Sequence, residues 1–145
     1  MIKLINGDCL TELKNLEPES VHCCVTSPPY WGLRDYGVEG QLGLEKTPEE
    51  YVEKLVAVFR EVRRVLADDG TLWLNLGDSY FSDTKGSGGP CVLKGAGKAM
   101  TEARYQETRK YNRNGLKPKD LIGIPWRVAF ALQADGWYLR QDIIW

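Results

Sequence analysis

A long amphipathic helix between two apolar runs constrains the fold of this chain more than any other feature. Residues 47–50 (Thr-Pro-Glu-Glu) form a capping-box pattern with proline at the first helical position. Apolar residues then recur at helical spacing as far as Leu66, and Asp69-Gly70 stops the pattern. One apolar run precedes this helix at 21–26, and another follows it at 71–76. A strand, a helix and a strand in one sheet form a right-handed βαβ unit, so the pattern predicts an α/β fold with parallel strands.

Two further apolar runs, at residues 2–5 and 137–144, predict additional strands of the same sheet. Together with the strands beside the long helix they make about four strands with flanking helices. The predicted class is therefore α/β, with a partial Rossmann-like sheet. A chain of 145 residues suits one domain of this kind, covering residues 1–145.

A last helix is predicted to open at residues 119–122 (Lys-Asp-Leu-Ile) and to end at Asp135-Gly136. Pro125 fits this helix because it falls within the first turns. Three large side chains are expected to supply its bulk, namely Trp126, Phe130 and Leu132.

Composition places the chain among soluble proteins. The formal net charge is −1, and 43% of the residues are hydrophobic. The N-terminal residues lack the layout of a signal peptide, and no apolar run approaches the length of a membrane span. The four cysteines have no CxxC spacing, which indicates reduced structural thiols and no metal site. We therefore expect a cytoplasmic protein.

The first strand beside the long helix leads into Ser27-Pro28-Pro29-Tyr30, the segment with the clearest chemical design. The prolines end the strand and offer no N–H group, so the carbonyl groups of Ser27 and Pro28 are available to a ligand. The Ser27 hydroxyl and a proline carbonyl can together accept both hydrogens of a planar amino group, while Tyr30 offers a face for stacking a base. Acceptors placed where positive charge develops favour attack of such a nitrogen on an electrophilic methyl group. The segment is therefore interpreted as a methyl-transfer site for a nucleobase.

The same segment resembles the signature (D/N/S)-PP-(Y/F/W) of the amino-methylating DNA methyltransferases. The serine form, followed by Trp-Gly-Leu-Arg-Asp-Tyr-Gly at 31–37, is most similar to the branch that methylates cytosine N4, although Ser27 does not exclude adenine N6. Residues 116–126 and 137–145 also resemble runs found in family members.

The resemblance implies a site-specific DNA methyltransferase of a restriction–modification system. It implies S-adenosylmethionine as the methyl donor, double-stranded DNA as the partner, and no covalent enzyme intermediate. The catalytic residues that it implies are Ser27, Pro28, Pro29 and Tyr30. Methyltransferases of RNA or of protein glutamine use the same chemistry but typically show Asn-Pro-Pro-Tyr, so Ser27 argues against them.

Three polar residues follow predicted strands and are candidates to lie near the cofactor or the base. Asp8 follows the run at 2–5, where the resemblance implies an acid, and Asn75 and Asp78 stand at the end of the run from residue 71. Ligands of open α/β sheets bind at the carboxyl ends of the strands. For Asp8 and Asp78 a helix-capping role is the alternative.

A basic, glycine-rich insertion at about 81–119 predicts a contact with DNA. Nine Lys or Arg against two Glu give residues 85–119 a charge of +7, while the rest of the chain carries −8. Such segregation is typical of binding to phosphates, although a solvated insertion without function is the alternative. The candidate DNA contacts are Trp31, Arg34, Lys98, Arg104, Arg109, Lys110 and Arg113. For Trp31, packing in the core is an open alternative.

One segment of the family pattern is missing from this sequence. Complete members with this motif order carry a Phe-x-Gly-x-Gly segment late in the chain, and its glycine turn holds S-adenosylmethionine. We therefore expect the catalytic portion of a methyltransferase, truncated before its cofactor-binding half. An exposed sheet edge would then favour self-association or a complementary subunit. A catalytically inactive fragment for DNA binding or assembly is the alternative function.

Overall fold

A computed structural model of the chain describes residues 2–81, 116 and 119–144. The elements in these ranges are α1 (Cys9–Leu13), β1 (Val21–Thr26), α2 (Pro48–Val65), β2 (Leu66–Leu74) and α3 (Ile124–Ala134). Most of the predicted basic insertion at 81–119 lies outside the described residues. None of the helices in these ranges is long and apolar enough to cross a membrane.

The strands β1 and β2 pair in parallel, which confirms the predicted strand–helix–strand unit. Cys24 pairs with Leu72 and Thr26 with Leu74, so the two strands end side by side. The Asn75 amide extends the pairing by donating to the Thr26 carbonyl at 2.9 Å. The polar segments that follow the two strands therefore leave the sheet at the same edge, as predicted.

The second strand begins at Leu66, earlier than the predicted residue 71. Leu66 ends α2 in an extended conformation and pairs with Val21, and the register then shifts before Cys23 pairs with Thr71. The helix consequently stops at Val65, because the chain turns directly into the sheet instead of continuing to Asp69-Gly70.

Helix α2 has the predicted start and the predicted apolar face. The Thr47 side chain accepts a hydrogen bond from the Glu50 amide at 3.1 Å, and Pro48 occupies the first turn. The buried residues recur at helical spacing along one face: Tyr51, Leu55, Phe59, Val62 and Val65. This face forms the centre of the core, against which α3 packs.

Of the three large side chains expected to supply the bulk of helix α3, only Leu132 is buried. Trp126 and Phe130 are 48% and 57% exposed. Ile124, Val128 and Leu132 are the buried residues of the helix, since a spacing of four keeps them on one side.

The same helix starts later than the predicted residue 119, at Ile124. Gly123 stands immediately before it in the left-handed region, at φ +78°, which interrupts a helix begun earlier. Pro125 lies in the first turn, and the helix ends as predicted at Asp135-Gly136, where Gly136 has φ +101°.

The predicted strands at 2–5 and 137–144 are not strands in this structure. An extended segment becomes a strand only by pairing its backbone with a neighbour, and among the described residues neither segment has one. Their apolar side chains are exposed accordingly, as Leu4 at 92% and Ile144 at 89% illustrate. The described sheet therefore has two strands, half the predicted number.

Removal of the Leu55 side chain is expected to destabilise the fold. Leu55 is fully buried in the core, so Leu55→Ala leaves a cavity and should lower the free energy of unfolding by about 2–5 kcal/mol. Leu33→Ala is the matched control, because Leu33 is 44% exposed, and it should cost no more than about 0.5 kcal/mol. Urea titration followed by circular dichroism measures both, and equal losses would contradict the assigned core.

Candidate functional site

The Ser27-Pro28-Pro29-Tyr30 segment leaves β1 at the edge where β2 also ends. Gly77, which follows β2, lies close to this segment, since a Cβ atom added there would be 2.7 Å from Cδ2 and Cε2 of Tyr30. The Tyr30 ring is therefore packed directly against the backbone that follows β2. The structure thus brings the four predicted catalytic residues next to the segment 75–78.

The Ser27 hydroxyl is exposed and donates to the Tyr30 hydroxyl at 3.3 Å. With its hydrogen used in this way, the Ser27 oxygen keeps lone pairs with which it can accept hydrogen bonds. The carbonyl groups of Ser27 and Pro28 accept no hydrogen bond from any residue in the described ranges. Three acceptors of the segment are therefore available to a donor.

The third carbonyl of the segment is occupied. The Tyr51 hydroxyl, on the buried face of α2, donates to the Pro29 carbonyl at 2.9 Å. Burial, with smaller contributions from Glu45 and Tyr30, raises the pKa of the Tyr51 hydroxyl well above its ordinary value. Tyr51 therefore stays protonated and remains a donor throughout the neutral range.

A buried carboxylate supports the loop that follows the segment. Glu45 has a side chain that is only 1% exposed, and its Oε1 forms an ion pair with the Lys54 ammonium at 3.0 Å. Its Oε2 accepts from the Gly43 amide at 2.9 Å, and its carbonyl accepts from Trp31 Nε1 at 3.1 Å. The loop from 31 to 45 is thereby anchored to α2.

Sequence reasoning missed Tyr51 and Glu45. Tyr51 fits the apolar period of α2 and therefore reads as an ordinary core residue, while Glu45 lies in a glycine-rich loop without any period. A glutamate shortly before a capping box gives no signal that its carboxylate is buried.

The predicted DNA contacts differ in their burial and in whether they lie among the described residues. Trp31 is only 8% exposed and belongs to the core, which is the alternative that the sequence left open. Arg34 is exposed on the loop after the segment. Five predicted contacts lie outside the described residues: Lys98, Arg104, Arg109, Lys110 and Arg113.

Asp8 caps a helix in this structure. Its Oδ1 accepts hydrogen bonds from the amide and the hydroxyl of Thr11 at 2.9 and 3.0 Å, at the start of α1. The capping alternative is therefore realised, and Oδ2 receives no hydrogen bond from the residues that the structure describes. Asp8 is exposed and keeps this second oxygen for another donor.

Asp78 also caps a helix, in this case α3, which is distant from it in the sequence. Its carboxylate accepts from the Gly123 amide at 3.0 and 3.1 Å and from the Ile124 amide at 3.2 Å, which are the first amides of α3. It also accepts from the Ser79 amide at 2.8 Å. A negative charge at a helix N-terminus is electrostatically favourable. Asp78 therefore joins the edge of the sheet to α3.

Two cysteines in the described ranges have a weakened tendency to form the reactive thiolate. Cys9, Cys23 and Cys24 are free thiols, and Cys91 lies outside the described residues. Desolvation raises the pKa of the Cys9 and Cys24 thiols, with a smaller contribution from Asp8 to Cys9 and from Cys23 to Cys24. Since the thiolate is the reactive form, these shifts disfavour attack by Cys9 and Cys24. No cluster of three or more His, Cys, Asp or Glu fit to hold a metal occurs among residues 2–81, 116 and 119–144.

Comparison with known proteins identifies the family. The model of a family of DNA methylases that act at N6 and N4 matches residues 21–145. The chain belongs to this DNA methylase family. The match confirms the family that the Ser-Pro-Pro-Tyr motif predicts. No solved structure matches the chain.

Individual methylases are similar to this chain over almost its whole length. It is 57% identical to the Type II methyltransferase M.XycI of Xanthomonas campestris pv. cyanopsidis, over 98% of this chain and 45% of the relative. It is 54% identical to M.Cfr9I of Citrobacter freundii, again over 98% and 45%, and to M.SmaI of Serratia marcescens over 99% and 47%. The methylase chain thus spans less than half the length of these curated relatives.

The candidate polar residues Asp8, Asn75 and Asp78 fit a cofactor in part. S-adenosylmethionine carries hydroxyl and amino groups, and free carboxylate or amide oxygens are suitable acceptors for them. The second oxygen of Asp8 and the Asn75 side chain are both free of hydrogen bonds from the described residues. Asp78, in contrast, would have to give up its bonds to α3 before it could contact a ligand.

Loss of the Asp78 carboxylate is expected to destabilise the methylase chain by freeing the first turn of α3. Asp78→Ala leaves the Gly123 and Ile124 amides without their acceptor and should lower the free energy of unfolding by about 1–3 kcal/mol. Asp78→Asn should lose less, since it keeps one carbonyl oxygen. Asp142→Ala is the control, because Asp142 is exposed. Urea unfolding compares the three, and equal stability of the two alanine variants would contradict the capping role.

Proposed function

We propose that this chain is the base-binding portion of a DNA methyltransferase. It serves to transfer a methyl group from S-adenosylmethionine to the exocyclic amino nitrogen of a flipped base. The observation that carries the proposal is the free acceptor set at the carboxyl edge of β1. The Ser27 oxygen and the carbonyl groups of Ser27 and Pro28 accept no hydrogen bond there from the described residues, beside the half-exposed ring of Tyr30.

These acceptors suit an exocyclic amino group. Such a nitrogen is a weak nucleophile because its lone pair is conjugated with the heterocycle. The Ser27 oxygen and the Pro28 carbonyl hold its two hydrogens, and their partial negative charges stabilise the positive charge that develops on nitrogen during transfer. S-adenosylmethionine, when bound, supplies the electrophilic methyl group. The Pro29 carbonyl takes no part, because Tyr51 occupies it.

The Tyr30 ring serves as the stacking surface for the base. A base inside a duplex cannot present its amino group to these acceptors, so it has to leave the stack and enter the pocket. Aromatic stacking then compensates for part of the lost base stacking. Arg34 and the basic segment at 85–119, with its charge of +7, bind the phosphates of double-stranded DNA.

Cytosine N4 is the preferred target, with adenine N6 as the alternative. The proposal rests on the serine at position 27, followed by the Trp-Gly-Leu-Arg-Asp-Tyr-Gly run at 31–37. The similar proteins are named Type II methyltransferases, which suits a role in restriction–modification and a place in the cytoplasm, where cellular DNA is reached.

Methyl transfer to DNA tests this function directly. The purified chain is mixed with labelled S-adenosylmethionine and DNA of mixed sequence, and mass spectrometry of the nucleosides distinguishes N4-methylcytosine from N6-methyladenine. Ser27→Ala should lower the transfer rate by about 100-fold, since it removes one acceptor aimed at the developing charge. Ser20→Ala is the control, because the Ser20 hydroxyl bonds the Glu17 carbonyl in the turn before β1. Undiminished transfer by Ser27→Ala would contradict the assignment.

A second candidate function is a catalytically inactive module for DNA binding or assembly. It rests on the basic segment at 85–119, whose charge of +7 suits binding to phosphates without any methyl transfer. The transfer assay, together with a gel-shift measurement of DNA binding, distinguishes the two functions. DNA binding without methyl transfer favours the module. Restored transfer upon addition of a complementary subunit would return the chain to the first function.

Self-association is part of both proposals. Val25 and Trp73 are opposite each other in the sheet and are 77% and 52% exposed, on the face that α2 leaves uncovered. Parallel sheets are normally covered on both faces, so this face favours contact with a second copy or a complementary subunit.

The weight-average mass of the chain tests self-association. Sedimentation over a range of concentrations should show a rising mass, and Val25→Asp should suppress the rise because it places a charge on the apolar face. Val38→Asp is the control, since Val38 is 64% exposed in the loop after the motif. A monomer at every concentration would contradict self-association.

A further inference from the structure

Two residues outside the Ser27–Tyr30 segment contact it from different elements of the fold. Tyr51 contacts it from the first turns of α2, and Gly77 from the chain just beyond β2. One makes a hydrogen bond to the backbone of the segment, and the other lies against a side chain. Both contacts converge on Tyr30 and on the peptide group that joins it to Pro29.

The Tyr51 contact determines the orientation of a peptide group. Proline has a fixed φ and no N–H, so its carbonyl is the only backbone group through which Pro29 can be held. The Tyr51 hydroxyl donates to that carbonyl at 2.9 Å, and the Tyr51 ring is fully buried. A donor that cannot move therefore fixes the plane of the peptide between Pro29 and Tyr30. That plane sets the direction in which the Tyr30 side chain leaves the backbone.

The Gly77 contact determines where the Tyr30 ring can lie. A Cβ atom at position 77 would be 2.7 Å from both Cδ2 and Cε2 of the ring. Carbon atoms in contact are normally about 3.5–4.0 Å apart, so the ring would have to retreat by about 1 Å. Gly77 is thus required for space, and the ring occupies a place that only glycine leaves open.

Apart from the contact with Gly77, the described residues restrain the Tyr30 ring only weakly. Tyr30 is partly exposed, and the hydrogen bond to its hydroxyl from Ser27 is long, at 3.3 Å. Displacing the ring is therefore expected to cost less than displacing the backbone just beyond β2, which is bonded to β1 through the Asn75 amide. A side chain at position 77 would move Tyr30 and leave the sheet in place.

We propose that Tyr51 and Gly77 are positioning residues for the stacking surface of Tyr30. Tyr51 orients the peptide from which Tyr30 projects, and Gly77 provides the space into which its ring packs. The inference rests on the proposed function of the Ser27–Tyr30 segment in binding a base. Neither residue touches the base or the methyl group, so each acts through Tyr30 alone.

The position of Tyr30 can be measured without any activity. Nuclear magnetic resonance of the labelled chain should show nuclear Overhauser effects between the Gly77 α-protons and the Tyr30 ring. Gly77→Ala should shift the Tyr30 ring resonances, and Tyr51→Phe should shift the Tyr30 amide and ring resonances. Tyr36→Phe is the matched control, since Tyr36 is exposed and its hydroxyl takes no hydrogen bond from the described residues. Unchanged Tyr30 resonances in both variants would overturn the proposal.

The rate of methyl transfer then tests whether the position of Tyr30 serves catalysis. Gly77→Ala and Tyr51→Phe should each lower kcat by about tenfold to 100-fold, as misplacement of a reacting group by about 1 Å can do. The KM for DNA should stay within about twofold, since phosphate contacts dominate DNA affinity. In a Tyr30→Ala background both substitutions should have no further effect, because the ring they position is absent. Full additivity in that background would overturn the proposal.

The two measurements separate this inference from the proposed function. Shifted Tyr30 resonances in a chain that transfers no methyl group, either alone or with a complementary subunit, would support the positioning roles and reject the proposed function. Transfer that is sensitive to Ser27→Ala but insensitive to both Tyr51→Phe and Gly77→Ala would support the function and reject the positioning roles. Thermal unfolding of each variant identifies losses of kcat that arise from unfolding.

Discussion

The parallel register of β1 and β2 is the constraint on which the rest of the structure depends. Because Thr26 pairs with Leu74, the segments that follow the two strands leave the sheet side by side. The Ser27–Tyr30 segment and residues 75–78 are far apart in the chain, and this register alone brings them into contact. Helix α2 makes the register possible, since it spans the distance between the end of one strand and the start of the next and covers one face of the pair.

Polar residues at this edge serve the fold as well as the site. Asp78 follows β2 at the edge where ligands of α/β proteins usually bind, yet its carboxylate holds the N-terminus of α3, and Asp8 likewise caps α1. The carboxylate of Asp78 ties the sheet edge to α3 across a long stretch of chain. Buried polar groups of α2 and the motif loop have a similar role, because Tyr51 and Glu45 stiffen the backbone around the prolines. The acceptors at Ser27 and Pro28, which receive no hydrogen bond from the part of the chain that the structure describes, therefore belong to a rigid segment.

Rigidity of that segment suits the chemistry proposed for it. Acceptors stabilise a developing positive charge best when they need not reorganise during the reaction. Prolines provide this locally by fixing φ, and the Tyr51 hydrogen bond provides it from another element.

Sequence alone determined the strand–helix–strand unit, the start of α2, the motif and the family, because caps, periodicity and proline act locally. Tertiary structure decided what the sequence left open or misjudged. Packing makes Trp31 a core residue. The start of α3 at Ile124 is held by the carboxylate of Asp78, which is distant in the chain. The runs at 2–5 and 137–144 have the composition of strands, yet a strand requires a paired neighbour, and composition cannot supply one. Contacts such as that of Tyr51 with Pro29 join residues far apart in sequence, and only the folded chain reveals them.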